Sequence, residues 1–261
     1  MAIAQDGRFV RRIQLRTPIT AHDDHHPFDI PAVQALAAGL DLAPGVTFLV
    51  GENGSGKSTL VEALAVACGF SAEGGSQNLR FATRPTHSDL HTRLVVTRGR
   101  RRPRTGFFLR AESFYNVLTA LEELDAQPSP SPPLMPVYTG GRAGSLHERS
   151  HGESFWDLLI NRFGPSGLYL LDEPEAALSP TRQLAALRRI HDLCRDGGQF
   201  VIATHSPLLL ALPGASILLL DERGITAASY DDLPMVRLYR GLLANPDGIM
   251  GELLADDDDS A

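Results

Sequence analysis

Two periodicities alternate along this chain. Short apolar runs rich in β-branched and aromatic residues, bounded by turn formers, occur at Phe9–Leu15, Val46–Val50, Leu94–Thr97, Gly106–Leu109, Leu168–Leu171, Phe200–Ala203 and Ser216–Leu220, and each predicts a strand. Between several of them, apolar residues return every three or four positions. Ser58–Cys68 carries Leu60, Leu64 and Cys68 on one face with Gly69 as a stop, and predicts a helix. Pro180–Arg195 predicts another, with Ser179 as N-cap, Pro180 in the first turn, Leu184, Leu187, Ile190 and Leu193 on one face, and Gly197 beyond the end. Ser113–Leu124, Phe155–Phe163 and Asp231–Leu243 read as further helices. Gln127–Pro136, rich in Pro and Ser, predicts an extended connection, and Asp256–Asp259 a solvated acidic tail. Near-continuous apolar strands separated by helices require a sheet that is largely parallel and covered on both faces, so the expected class is α/β.

Composition narrows the class without changing it. The 261 residues are 43% apolar and 21% charged, the balance of a globular protein with a sizeable core. A net charge of -7 gives a whole-molecule field that repels nucleic acid. One local exception is the run holding Arg98, Arg100, Arg101, Arg102 and Arg104, between two predicted strands, in a short loop or hairpin turn. It reads either as a phosphate-contacting patch or as a solvated turn, and no aromatic residue is interleaved to stack on bases. Cys68 and Cys194, the two cysteines, sit in helical stretches and read as reduced thiols, with neither a disulfide framework nor a zinc site. The best candidate membrane segment, Leu208–Leu220, is broken by Pro213 and Gly214, and the first residues lack a basic region followed by an apolar run. The expectation is a cytoplasmic chain without membrane insertion.

The candidate chemistry begins at Gly51-Glu52-Asn53-Gly54-Ser55-Gly56-Lys57-Ser58, which fits G-x-x-x-x-G-K-[ST] between a predicted strand and a predicted helix. Glycines let the backbone wrap a phosphate chain with N–H groups pointing inward, and the helix N-terminus adds positive potential. Lys57 is expected to reach the β- and γ-phosphates and Ser58 to ligate Mg2+, so Gly51 through Ser58, with Thr59, form the candidate ATP-binding set. Lys57 is also the one lysine among 24 basic residues. Arginine serves wherever charge alone is enough, and the exception falls where a compact ammonium on a flexible stem is needed. The strand Leu168–Leu171 ends in Asp172-Glu173-Pro174. Alternation points adjacent side chains apart, which assigns Asp172 to Mg2+ and Glu173 to the water that attacks the γ-phosphate.

With these residues in hand, the chain resembles the ABC-type ATPases. Leu170-Leu171-Asp172-Glu173-Pro174, Ala177-Leu178-Ser179-Pro180 and Thr204-His205-Ser206 are similar in order to their carboxylate strand, D-loop and switch histidine. The resemblance implies Glu173 as catalytic base, His205 on the γ-phosphate, and a P-loop NTPase core with a small antiparallel β region and a short helical lid at about 110–165, in one domain over 1–261. Ser150-His151-Gly152-Glu153-Ser154 is similar to the family's signature motif, with His151 in place of a glycine; Ser150, Gly152 and Glu153 would then contact the nucleotide of a second copy, which implies an ATP-bound homodimer. The same residues also read as a helix-capping box. Glu153 is closer to SMC and RecF-like ATPases than to transporters. The family's Q-loop glutamine has no counterpart near Arg110-Ala111-Glu112-Ser113, so either Glu112 substitutes or the γ-phosphate sensor differs; Gln77 lies earlier, in a Gly-rich loop. The small stand-alone bacterial ATPases of the AAA/ABC type resemble the chain most, at Phe107–Phe114 and Ser150–Phe155. Three outputs follow as expectations: a repair- or defence-related ATPase, a transporter ATPase subunit, or a nucleotide-sensing regulator of a protein partner.

Overall fold

The computed structural model describes residues 7–20, 23, 25–77, 88–128, 132–141 and 151–255. Among the described residues nine strands are formed by Val10–Leu15 (β1), Leu40–Asp41 (β2), Val46–Val50 (β3), Leu94–Arg98 (β4), Thr105–Arg110 (β5), Gly167–Asp172 (β6), Gln199–Ala203 (β7), Ser216–Asp221 (β8) and Gly224–Ala228 (β9). The principal helices are Lys57–Ala67 (α1), Phe114–Ala126 (α2), His151–Asn161 (α3), Pro180–Arg195 (α4), Pro234–Ala244 (α5) and Pro246–Ala255 (α6). Six strands make one sheet in the order β5-β6-β7-β3-β8-β9. The first five run parallel, and β9 closes the edge antiparallel to β8. A separate antiparallel sheet, β2-β1-β4, lies beside it. The expected α/β class holds.

Strand alternation divides the core between the two faces of the large sheet. Phe48, Val50, Phe107, Leu109, Tyr169, Leu171, Phe200 and Ile202 face α2, α3 and α4. Leu49, Phe108, Leu168, Leu170, Val201 and Ala203 face α1 and the small sheet. Every residue of β3, β6 and β7 is buried, so these strands could not alternate polar with apolar. One side chain bridges the two sheets. Gln199 is fully buried, accepts from the N–H groups of Phe9 and Val10 at 2.9 Å, and donates to the carbonyls of Val10 and Ala43 at 2.8 Å.

The structure departs from sequence expectation in several places. The arginine run does not turn a hairpin. β4 pairs with β1, whereas β5 pairs in parallel with β6. The reason is burial: β5 is covered along Gly106–Leu109, while β4 exposes most of its residues. The stretch Asp231–Leu243 begins with a 3-10 turn at Tyr230–Asp232, and its helix starts only at Pro234, whose ring suits a first turn and not a helix interior. The end of the Pro-rich connection runs into a short helix, Met135–Thr139, with Pro136 in its first turn. α3 begins at His151, before Phe155, and β9 and α6 were not expected. The acidic tail at 256–259 lies outside the described residues.

Candidate nucleotide site at the carboxyl ends of four parallel strands

In an open parallel sheet, ligands bind beyond the carboxyl ends of the strands. Here β5, β6, β7 and β3 lie side by side, and the segments leaving them carry Arg110, Asp172–Glu173, Thr204–Ser206 and the loop 51–58. The loop turns into α1 through Gly56, whose φ of 96° lies in the left-handed region that glycine tolerates. Gly51 is required for space, because a Cβ there would lie 2.3 Å from the carbonyl oxygen of Leu220. No side chain caps α1, so its first-turn amides remain available to an anion. Lys57 is buried, and its ammonium donates to the carbonyls of Gly51 and Glu52 at 2.9 Å. Burial lowers its pKa, and the carboxylates of Glu173 and Asp172 oppose that shift.

Asp172 and Glu173 diverge as alternation predicted. The Asp172 side chain is 6% exposed and that of Glu173 is 43% exposed. Burial pushes the Asp172 carboxyl up to about 6, against a hydrogen bond from Ser58 and the charge of Arg110. Its Oδ1 is buried without a hydrogen-bond partner. Arg110 comes to it from the register-paired position on β5, with Nε 3.7 Å from Asp172 Oδ2. The same guanidinium donates to Glu62 Oε2 at 2.5 Å and lies 3.5 Å from Glu112.

Glu173 holds φ 51° and ψ 51°, a left-handed conformation that costs a non-glycine residue about 1–3 kcal/mol and collects at functional sites. Its N–H donates to Ala203 at 2.9 Å, tying the turn after β6 to the end of β7. His205 Nε2 lies 3.7 Å from Glu173 Oε1 and is itself buried without a hydrogen-bond partner. Glu175 secures the loop that presents His205. Its Oε1 accepts the His205 N–H at 2.5 Å, and burial raises its pKa. Ser206 donates to Gln183 Oε1 at 2.5 Å, and Gln183 donates to the Leu178 carbonyl at 2.9 Å, which fixes the start of α4 against the same loop.

The remaining predicted residues distribute differently. Ser150 lies outside the described residues. Gly152 packs close to the turn Pro174–Ala177, since a Cβ there would lie 2.7 Å from the Ala177 carbonyl oxygen, and Glu153 is exposed in the first turn of α3. Arg98, Arg100, Arg101, Arg102 and Arg104 are all exposed. They precede the amino end of β5, where the Arg104 N–H donates to Ser166, at the opposite end of the sheet from Lys57. Gln77 caps the end of α1 by donating to the Cys68 carbonyl at 2.9 Å. Glu112 turns outward, 83% exposed. Arg110, Glu62 and Glu175 belong to no motif, although Glu62 stands four residues after Ser58, on the same face of α1.

The donor set suits Mg2+. Asp172 offers an unpartnered buried oxygen beside the Ser58 hydroxyl, and both are hard oxygen donors. Among the described residues no cluster of three or more His, Cys, Asp or Glu could hold a metal. Two open cavities flank the loop. One of about 580 Å³ is lined by Glu52–Ser55, Pro31 and Arg223, and one of about 360 Å³ by Gly51, Glu52, His205 and Tyr239. Among the described residues no helix is long and apolar enough to cross a membrane.

Comparison with known proteins finds two matching families. Residues 37–101 match an AAA domain family, and residues 151–211 match the family described as "AAA domain, putative AbiEii toxin, Type IV TA system". No curated protein matches the chain. Similar solved structures include CbiO1 of Clostridium perfringens, part of an ABC transporter complex, at 13% identity and TM-score 0.47, covering 95% of this chain and 99% of that one. The SMC head domain of Thermotoga maritima is 14% identical with TM-score 0.41, covering 85% and 99%. An SMC head bound to the winged-helix domain of ScpA is 16% identical with TM-score 0.42, covering 73% and 92%. At such scores these neighbours carry no functional argument, and the assignment rests on the chain's own sheet and on the two family matches. One match holds the phosphate loop and the other holds Asp172, Glu173 and His205, so two stretches that the sheet order brings to one edge are each similar to an AAA-domain family.

Proposed function

We propose that the chain binds Mg·ATP at this edge, hydrolyses it to ADP and phosphate, and closes as a head-to-tail dimer around two nucleotides. The observation that carries the reading is the convergence of Lys57, the Ser58–Asp172 pair and the Glu173–His205 pair from three adjacent parallel strands. In this reading the amides of 51–58 and the Lys57 ammonium cradle the phosphates, exchanging the carbonyls of Gly51 and Glu52 for phosphate oxygens. Ser58 and Asp172 would hold Mg2+, which neutralises charge on the β- and γ-phosphate oxygens when bound. Glu173 accepts a proton from the water that attacks the γ-phosphorus, and the bond to the β-phosphate oxygen breaks. His205, aimed by Glu175, keeps Nε2 free to hydrogen-bond the γ-phosphate.

Closure is a population shift driven by contacts that ATP makes only in the closed state. Size-exclusion chromatography with light scattering and a phosphate-release assay test it. Glu173→Gln should abolish turnover and accumulate an ATP-bound dimer, while Lys57→Ala should stay monomeric in Mg·ATP. A nucleotide-bound Glu173→Gln protein that stays monomeric removes dimer closure, and undiminished phosphate release by that variant removes the role of Glu173. A nucleic-acid partner for a repair or defence output is supported by the five exposed arginines that precede β5. Absence of duplex or single-stranded DNA binding at low salt, measured by fluorescence anisotropy, would remove that part.

A further inference from the structure

Four polar side chains join the phosphate-loop helix to the two outer strands of the site. Ser58 and Glu62 sit one turn apart on the same face of α1. Ser58 lies beside Asp172 and favours its charged form, and Glu62 accepts from Arg110 at 2.5 Å. Arg110 and Asp172 are register partners at the ends of β5 and β6. Glu62 holds Arg110, but the guanidinium stops short of Asp172. Arg110 Nε stands 3.7 Å from Asp172 Oδ2, beyond hydrogen-bond reach, and both Arg110 Nε and Asp172 Oδ1 are buried without hydrogen-bond partners. An unpartnered buried N–H on a guanidinium is costly to keep, and a shift of under about 1 Å would satisfy it.

We propose that Arg110 is a positioning residue for the nucleotide-bound Mg2+: anchored by Glu62, its Nε–H takes Asp172 Oδ2 and so directs Oδ1 to the ion. This deepens the Mg·ATP reading above and rests on it. The arrangement has the logic of an outer shell, in which a ligating carboxylate is oriented by a hydrogen bond on its other oxygen. It also accounts for the missing glutamine after this strand. Glu112, at the expected place, faces solvent, and the polar group that β5 delivers inward is a guanidinium. A lysine could not replace it, because the geometry uses Nη1 on Glu62 and Nε on Asp172 as two prongs of one rigid plane.

The test is a Mg2+ titration of fluorescent (mant-labelled) ATP binding by the full chain, with a parallel measurement in EDTA and a thermal-shift check of folding. Arg110→Met should raise the half-saturating Mg2+ concentration about 10-fold, the low end of the range for lost outer-shell partners, while Mg2+-free affinity changes less than about two-fold. Arg110→Lys should behave like Arg110→Met. Glu62→Gln, which keeps the shape but weakens the anchor, should move the Mg2+ requirement in the same direction by a smaller factor, and it decides the matter if Arg110→Met does not fold. An unshifted Mg2+ requirement, or an equal loss of Mg2+-free affinity, overturns the inference. Wild-type chain that binds the probe equally with and without Mg2+ overturns the underlying Mg·ATP reading instead.

Discussion

Gln199→Leu tests how the small sheet is held to the strands that build the site. The side chain has no exposure, and its one amide group satisfies four backbone groups: the N–H of Phe9 and Val10, and the carbonyls of Val10 and Ala43. Leucine keeps the volume nearly unchanged, so cavity formation contributes little and the lost hydrogen bonds dominate. Each buried donor or acceptor left without a partner costs about 1–3 kcal/mol, so four give about 4–12 kcal/mol. The lower end is expected, because Arg11 beside this edge is exposed and the strand can relax toward water. A loss of about 4 kcal/mol is a large part of the 5–15 kcal/mol that stabilises an ordinary domain. Urea unfolding followed by the fluorescence of Trp156, the single tryptophan, and by far-UV circular dichroism would measure it. A midpoint shift worth less than about 1 kcal/mol at unchanged slope would refute the reasoning, because it would mean that the four groups find other partners.

Gly51→Ala places a Cβ 2.3 Å from the Leu220 carbonyl and 2.6 Å from Ser55 Oγ, and a backbone oxygen cannot swing aside. Nucleotide affinity should fall at least about 10-fold, with about 1–3 kcal/mol of stability lost to overpacking, as read by mant-ATP titration and thermal denaturation; wild-type affinity would contradict the assigned loop geometry. The thiols of Cys68 and Cys194 are pushed up by burial to about 11 and about 12, so at pH 8 at most about one Cys68 in a thousand is thiolate. Ellman's reagent should therefore titrate both only after denaturation, and rapid reaction of either in the folded protein would show that its burial is wrong.

Much of the site was legible because its signals are local. The phosphate-loop pattern needs particular residues within eight consecutive positions at a strand-to-helix junction, and the structure sets Gly51 and Gly56 at tight positions of that turn with Lys57 buried against it. The divergence of Asp172 and Glu173 follows from strand geometry alone, although the left-handed backbone at Glu173 does not. α4 was legible in the same way from its N-cap and its proline, with Ser179 accepting the N–H of Arg182 as a cap should; of the expected apolar face Ile190 and Leu193 are buried, whereas Leu184 is exposed because the buried stripe runs through Gln183 and Ala186.

The amino-acid pattern by itself determined that covered parallel strands alternate with helices, that one strand-to-helix turn carries the phosphate-loop pattern, and that two carboxylates and a histidine follow apolar strands. Only the tertiary structure decided which strands are neighbours. It split β4 from β5 between two sheets, carried the arginine run to the end of the sheet away from Lys57, and brought Arg110 to Asp172, Glu175 to His205 and Gln199 to Val10. Those pairings join residues 30 to 189 positions apart in the last two cases, and no local propensity encodes them. They follow from which faces must be buried together, and that is a property of the whole chain packed at once.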